Sequence, residues 1–268
     1  MRLIASARTI MVTLRVAFRS SVTSRIGIVL SCMQTIVTIG VLFFIFRTAF
    51  AQTGVVNGVT FSVAMWSLAM YSFFWGIGTK NIAIDIAQGV KNGSIETHVV
   101  RPQHFLQHIV AFRLGRQVNT VVLQSGINII LVLCFVGAPI LLMNAVWWLE
   151  VLSLFFCGAL LGVLMYICVG LWAFWMEDIQ PIIWITDKAT MILGGAFVPV
   201  AMLPVNIQRI AEWSPFGAMI SFVRAFNSNF GEIFFALLLP QLLWIGFFGC
   251  ASVALWYSAR KRISINGG

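Results

Sequence analysis

Apolar and polar positions fall into long blocks along this chain. Runs of about 20 residues rich in Leu, Ile, Val, Phe and Trp are separated by shorter polar stretches. A run of that length matches a hydrocarbon core about 30 Å thick at about 1.5 Å rise per helical residue. Six such spans are read, at residues 26–46, 61–78, 118–140, 146–174, 182–203 and 234–259. Most lack the apolar/polar alternation of a barrel strand, so helices are expected.

Ahead of the first span, the arm 1–25 has a different pattern. At about 100° per residue Leu3, Ile4, Ala7, Ile10, Met11, Leu14, Phe18 and Val22 share a face. Arg8, Arg15 and Arg19 form a stripe beside it, Thr9, Thr13 and Ser20 lie opposite, and Val12 and Val16 break the pattern. The arm is expected to be an amphipathic helix on the cytoplasmic leaflet, its arginines at anionic headgroups. Ala49-Phe50-Ala51 before Gln52 looks like a signal-peptidase site. The arm and the apolar run are both too long for a secretory signal, so the first span is expected to stay uncleaved.

Polar residues inside the spans are mostly neutral. Ser31, Gln34, Thr35 and Thr38 recur at helical spacing on one face of the first span, and Asn119, Gln124 and Asn128 punctuate the third. Such a face either packs against another helix through hydrogen bonds or lines a polar route. Asp187-Lys188 and Glu150 are the charged exceptions. An ionisable group at the bilayer centre costs at least about 2.5–3.5 kcal/mol, so Asp187 either joins Gln34, Thr38 and Asn128 along a pathway or anchors an interface. Neighbours on a helix point about 100° apart, so Asp187 and Lys188 do not simply pair, and Lys188 can snorkel toward headgroups.

The outer end of the fifth span is irregular. Gly194-Gly195, Pro199 and Pro204 interrupt it, and Ser214-Pro215-Phe216 follows. The apolar pieces between these breaks are too short to cross and too greasy for a free loop, so short helices dipping back into the outer leaflet are expected, as a gate or as a structural cap.

Composition agrees with the pattern. With 60% hydrophobic residues and a mean hydropathy of +0.97, the chain has more apolar area than a soluble domain can hide. Of its 17 cations, 14 lie in the arm, in the stretch 80–116, at the end of the chain or at Lys188, against Arg47, Arg209 and Arg224 on the other side. Both termini are therefore expected in the cytoplasm, and the basic balance needs no nucleic-acid partner. The five cysteines are scattered singly and suit buried small hydrophobes. His104 and His108 stand at zinc-pair spacing, but no Glu follows His104, and no metal is expected. No G-x-x-x-x-G-K-[ST] loop occurs, so ATP hydrolysis by that route is excluded for this chain alone.

Seven formal charges fall in 80–116, around Gly93-Ser94-Ile95-Glu96-Thr97-His98-Val99-Val100-Arg101-Pro102. Gly93-x-Ile95-Glu96 followed by Arg101-Pro102 is similar to the coupling-helix motif in permease subunits of type-2 ABC exporters. Gly194-Gly195 with Pro199, Pro204, Pro215 and Phe216 is similar to that family's outer re-entrant region. The whole arrangement resembles such permeases: a basic arm, six spans with both termini inside, a cytoplasmic loop after span 2 and broken helices between spans 5 and 6. Val99 stands where the motif's Leu is expected, and a further proline often seen after the Pro-Phe pair is absent.

The resemblance implies an all-α integral membrane protein forming one transmembrane domain over 1–268. It has a cytoplasmic amphipathic arm (1–25), a coupling loop (79–117) and an outer re-entrant region (199–233). It implies a coupling helix at 94–100 whose Ile95 and Val99 enter a cleft on an ATPase subunit, with Gly93, Ser94, Glu96, Arg101 and Pro102 completing the contact. Two permeases, identical or related, would form the pathway in a bacterial inner membrane. Two ATPase subunits would carry ATP and Mg, this chain binding no cofactor of its own and its other partners being membrane lipids. The substrate implied is amphiphilic or lipid-like. The competing expectation is a secondary transporter or channel that works without an ATPase.

Overall fold

A computed structural model describes residues 2–22, 25–51, 54–56, 58–93, 105–138, 144–196, 198–227 and 229–262. The described residues are mostly helical. α1 (Arg2–Val22) and α2 (Arg25–Phe50) lead into a minimal antiparallel hairpin, β1 (Val55–Val56) and β2 (Val59–Thr60). The Thr60 hydroxyl then caps α3 (Phe61–Gly76) by accepting from the Val63 amide. α4 (Lys80–Lys91), α5 (Phe105–Val136) and α6 (Ala145–Leu171) follow, the last prolonged by a 3₁₀ turn at Trp172–Phe174. Beyond these come α7 (Gln180–Leu193), a second 3₁₀ turn (Val200–Met202), α8 (Val205–Trp213), α9 (Pro215–Ala218), a third 3₁₀ turn (Ser221–Phe226) and α10 (Phe230–Arg260).

Five helical stretches among the described residues are long and apolar enough to cross a membrane: Val29–Phe50, Phe61–Lys91, Phe105–Val136, Ala145–Phe174 and Phe230–Arg260. The expected fifth span at 182–203 is not one of them. Its helix, α7, has 14 residues, about 21 Å against a core of about 30 Å. It stops where Gly195 takes a φ of +86°, a conformation open to glycine and strained for other residues. At Gly194 a Cβ would sit 2.4 Å from the Thr190 carbonyl oxygen, so that turn closes only on glycine.

The expected loop at 79–117 is helical at both of its ends. Gly78, at φ +63°, offsets the chain between α3 and α4, and the helix resumes at Lys80. The helix that carries the expected third span begins at Phe105, 13 residues ahead of residue 118, and Phe105, Ile109 and Ala111 bury one face of its first turns. These residues join Ile82, Ile86, Ile167, Leu171 and Trp256 in a small second core, where the Phe105 and Trp256 rings stack. The helices on either side of residues 94–104 thus share one apolar cluster.

α1 is helical as the arm's pattern predicts, and it packs along α5. Ala17 is fully buried there, and a Cβ on Gly115 would lie 2.6 Å from the Leu14 carbonyl oxygen. Met11 is 71% exposed, so the whole predicted face does not turn onto α5.

The main core is built around α6. Gly158, Gly162 and Gly170 share one side of this helix at multiples of four, and each faces a close neighbour. A Cβ on Gly158 would fall 2.1 Å from the Met219 carbonyl oxygen, one on Gly162 would lie 2.8 Å from Met219 Sδ, and one on Gly170 would meet Ile86 at 2.9 Å. Small residues let apolar helices approach this closely where no hydrophobic force drives them together. Gln241, fully buried beside Pro240 in α10, binds the same place: its Nε2 donates toward the Leu154 carbonyl (3.0 Å), the Ala218 carbonyl (2.9 Å) and the Ser221 hydroxyl (3.0 Å). Trp147 Nε1 donates to the Ala225 carbonyl at 2.8 Å, fixing the end of the irregular segment.

Gly158→Ala is therefore expected to destabilise the protein by about 2–3 kcal/mol, the cost of an overpacked contact against backbone. Gly246→Ala, where a Cβ meets nothing within 4 Å, should leave the thermal midpoint nearly unchanged. Thermal unfolding of both variants in detergent, followed by fluorescence, checks the contrast, and equal midpoints would contradict it.

Candidate functional site: a polar cavity between α2, α3 and α5

α2, α3 and α5 line a half-open cavity of about 830 Å³, with Lys80 and Asn81 of α4, and Met191 and Ala196 at the end of α7, also on its wall. Three of the four pathway residues expected from the sequence line it: Gln34, Thr38 and Asn128. They meet there because helical spacing stacks polar residues on one face of an otherwise apolar helix. On α2, Ser31 donates to the Gly27 carbonyl at 2.9 Å and Thr35 to the Ser31 carbonyl at 3.0 Å. These hydroxyls are satisfied within their own helix, and the face they share opens onto the cavity.

On α5 the ladder facing the cavity is Gln117, Thr120, Gln124 and Asn128, in place of the expected Asn119. The i, i+3, i+7 and i+11 spacing of these four was legible in the sequence. Two glycines bring α3 up to it. A Cβ on Gly76 would stand 2.7 Å from Gln124 Oε1, and one on Gly78 would stand 2.4 Å from Gln117 Nε2. Asn128 is 2% exposed and its Nδ2 donates to Ser72 Oγ at 2.6 Å, while its Oδ1 has no partner. The Tyr71 hydroxyl, on the same wall, is buried and also lacks one. A buried polar atom without a partner costs about 1–3 kcal/mol, so Asn128 Oδ1 and the Tyr71 hydroxyl are the places on this wall where one more hydrogen bond would be gained.

Asp187 is placed differently. It lines a small adjoining void of about 20 Å³ with Phe74, Tyr166 and Thr190, and pairs with Lys80 at 3.5 Å. Thr186, Asp187 and Thr190 form the buried face of α7, while Trp184 and Ile185 point outward. That inside-out amphipathicity is the signal for this helix. Lys188 lies over the Trp184 ring, 5.8 Å from its centroid. Lys80 and Trp75 line both spaces, so the ion pair forms part of the wall between them. A second pair, Arg113 with Asp85, joins α5 to α4.

The expected outer residues mark the ends of short elements. Gly194 and Gly195 end α7, Pro199 and Pro204 precede the Val200–Met202 turn and α8, and Pro215 and Phe216 open α9. The Ser214 hydroxyl caps α9 by accepting from the Gly217 amide at 3.1 Å. Glu212 and Arg224 pair at 2.6 Å across this region. Of the expected coupling residues, Gly93 is seen to end α4 at φ +67°. Ser94, Ile95, Glu96, Val99, Arg101 and Pro102 lie outside the described residues.

A cavity lined by both polar and apolar side chains inside a bundle of apolar helices suits a transport protein. The family model described as ABC-2 family transporter protein matches residues 36–267. The chain belongs to this family. No curated protein matches it. The matched segment takes in α3 to α10, nearly all of the cavity and the charged stretch 80–116, and begins after α1. As an ABC-2 type permease the protein is a multi-pass membrane component of an ABC transporter that associates with ABC ATPase subunits.

The Lys80–Asp187 pair in this permease is half-buried, between the worth of a surface pair and that of a fully buried one. Lys80→Asp or Asp187→Lys alone is expected to cost about 2 kcal/mol. The double exchange should recover most of that loss. A double-mutant cycle on thermal midpoints measures the coupling, and single-variant losses that simply add would show that the two charges do not interact.

Proposed function

We propose that this protein is the membrane-spanning subunit of an ABC exporter, moving an amphiphilic or lipid-like substrate by alternating access that separate ATPase subunits drive. The observation that carries this reading is the 830 Å³ polar cavity, whose wall includes Lys80 at the start of the helix that leads into the 94–104 segment. Gln34, Thr38 and Asn128 would face the substrate. The ATPases would hold ATP and Mg, and a second permease, identical or related, would complete the pathway.

Segment 93–102 would be the coupling element, with Gly93 and Pro102 bounding one short helix. Ile95 and Val99 would present its apolar side to the ATPase, flanked by Ser94, Glu96 and Arg101. Force applied there reaches α4 directly. From α4 it reaches α6 through the Gly170–Ile86 contact and α7 through Lys80–Asp187. α7 in turn ends at Gly194-Gly195, so its movement would shift Pro199, Pro204, Pro215 and Phe216, the proposed outer gate. In this reading α7 with the residues after it makes the sixth crossing. Both termini face the cytoplasm, with the protein in the bacterial inner membrane and α1 on the cytoplasmic leaflet among its lipids.

Replacing Ile95 and Glu96 together by lysine is expected to leave membrane insertion unchanged, to abolish co-purification of the ATPase and to reduce ATP-dependent transport at least tenfold, roughly the loss of one buried apolar anchor with a charge set against it. Undiminished transport by that variant would refute the coupling role. Flux through the purified permease without any ATPase would instead favour a secondary carrier or channel.

A further inference from the structure

The cavity lining is ordered by charge and polarity along its length. At one end stand Lys80, Arg113 and Arg116, and among the described residues no Asp or Glu lines the cavity. Two of these cations are balanced from behind the wall, Lys80 by Asp187 and Arg113 by Asp85. Arg116 has no carboxylate partner among the described residues. It is exposed, with its guanidinium 5.8 Å from the Phe112 ring centroid. The end is therefore net positive and offers guanidinium and ammonium donors.

Beyond the cations comes a zone of neutral hydrogen-bonding groups. Gln117, Thr120, Gln124 and Asn128 climb α5 opposite Gln34 of α2, covering about 18 Å from Arg116 to Asn128 at helical rise. The unpartnered Asn128 Oδ1 and Tyr71 hydroxyl lie in this zone, and Asn128 is almost wholly buried. The far end is apolar, formed by Ile39, Leu42, Ile45, Leu68 and Ala196. Cation, hydrogen-bonding ladder and apolar end follow one another in a single space. Its volume of about 830 Å³ is within the range that holds one drug-sized molecule, about 300–1,000 Å³.

Resting on the transport reading above, we propose that the cavity binds an anionic amphiphile, its acidic head at Arg116 and Lys80, its hydroxyl- or amide-bearing middle along the α5 ladder and its tail between α2 and α3. Charge sign selects the ligand class. A cationic amphiphile of equal length would place its head against the net positive end, where no carboxylate among the described residues lines the cavity to receive it. A neutral one would forgo the charge-assisted hydrogen bonds, which are about twice as strong as neutral ones.

The test is equilibrium binding to the full-length permease in phosphatidylcholine nanodiscs, using dodecyl phosphate, dodecyl trimethylammonium and dodecyl maltoside as probes. Dodecyl phosphate is expected to bind at least about tenfold more tightly than the ammonium, roughly the weight of one charge-assisted hydrogen bond. Arg116→Gln should weaken dodecyl phosphate about tenfold, Arg116→Lys should retain most of the affinity, and Gln124→Leu should weaken it as well. Excess inorganic phosphate should not displace the probe, because the head alone forgoes the ladder and the tail contacts.

Equal binding of the three amphiphiles would overturn the proposal. So would displacement by inorganic phosphate, which would reduce the site to a bare anion site. An effect of Arg116→Gln with none from Gln124→Leu would place the probe at the membrane surface instead of in the cavity, and would also overturn it. The transport reading fails separately. Charge-selective binding with no ATP-driven movement once the ATPase is added supports the anionic site and sinks the exporter, whereas ATP-driven movement of the ammonium in preference to the phosphate keeps the exporter and sinks the anionic site.

Discussion

A backbone group left unpaired in hydrocarbon costs several kcal/mol, and every unusual feature of this structure is placed where that cost is met. Unbroken helices meet it within themselves, which is why α5, α6 and α10 run long. The chain between α7 and α10 cannot, because Gly195, Pro199, Pro204 and Pro215 interrupt it. It is covered instead. Gln241 donates to the Ala218 carbonyl and the Ser221 hydroxyl, Trp147 donates to the Ala225 carbonyl, and Trp244 Nε1 donates to the Trp213 carbonyl at 2.8 Å. Gly158 makes the cover possible, because any Cβ there would push Met219 away.

The same constraint organises the charges. Lys80, Asp187, Arg113 and Asp85 are each held against an opposite charge between helices. These pairs do two things at once. They lower the cost of charge near the membrane, and they tie α4, the helix next to the 94–104 segment, to both α5 and α7. Because each of these carboxylates lies behind the cavity wall, the charged side chains that face the cavity among the described residues are cations. The electrostatic character of the site thus follows from how the fold balances its charges.

Periodicity made the walls of the cavity legible but not their meeting. Gln34, Thr38 and Asn128 could be placed on polar faces from spacing alone, and those faces do open on a common space. Tyr71 and Ser72 were not legible as partners of that space, because α3 meets the α5 ladder at Gly76 and Gly78, and a lone glycine in an apolar run reads equally as packing or as a break. The surroundings of Asp187 were not legible for a related reason. Its partner, Lys80, is more than a hundred positions away, so no local spacing could have named it.

The run lengths and cation bias determined by themselves that the chain is helical and built for a membrane, because the cost of burying a polar or charged side chain accumulates residue by residue along a span. Motif order likewise anticipated the family that residues 36–267 match. Only the tertiary structure decided that the expected fifth span shortens to a 14-residue helix, that α5 starts at Phe105, and that the polar faces of α2 and α5 share one cavity. Those outcomes depend on contacts between distant residues, such as Met219 on Gly158 and Lys80 with Asp187, whose energies arise only once the helices pack.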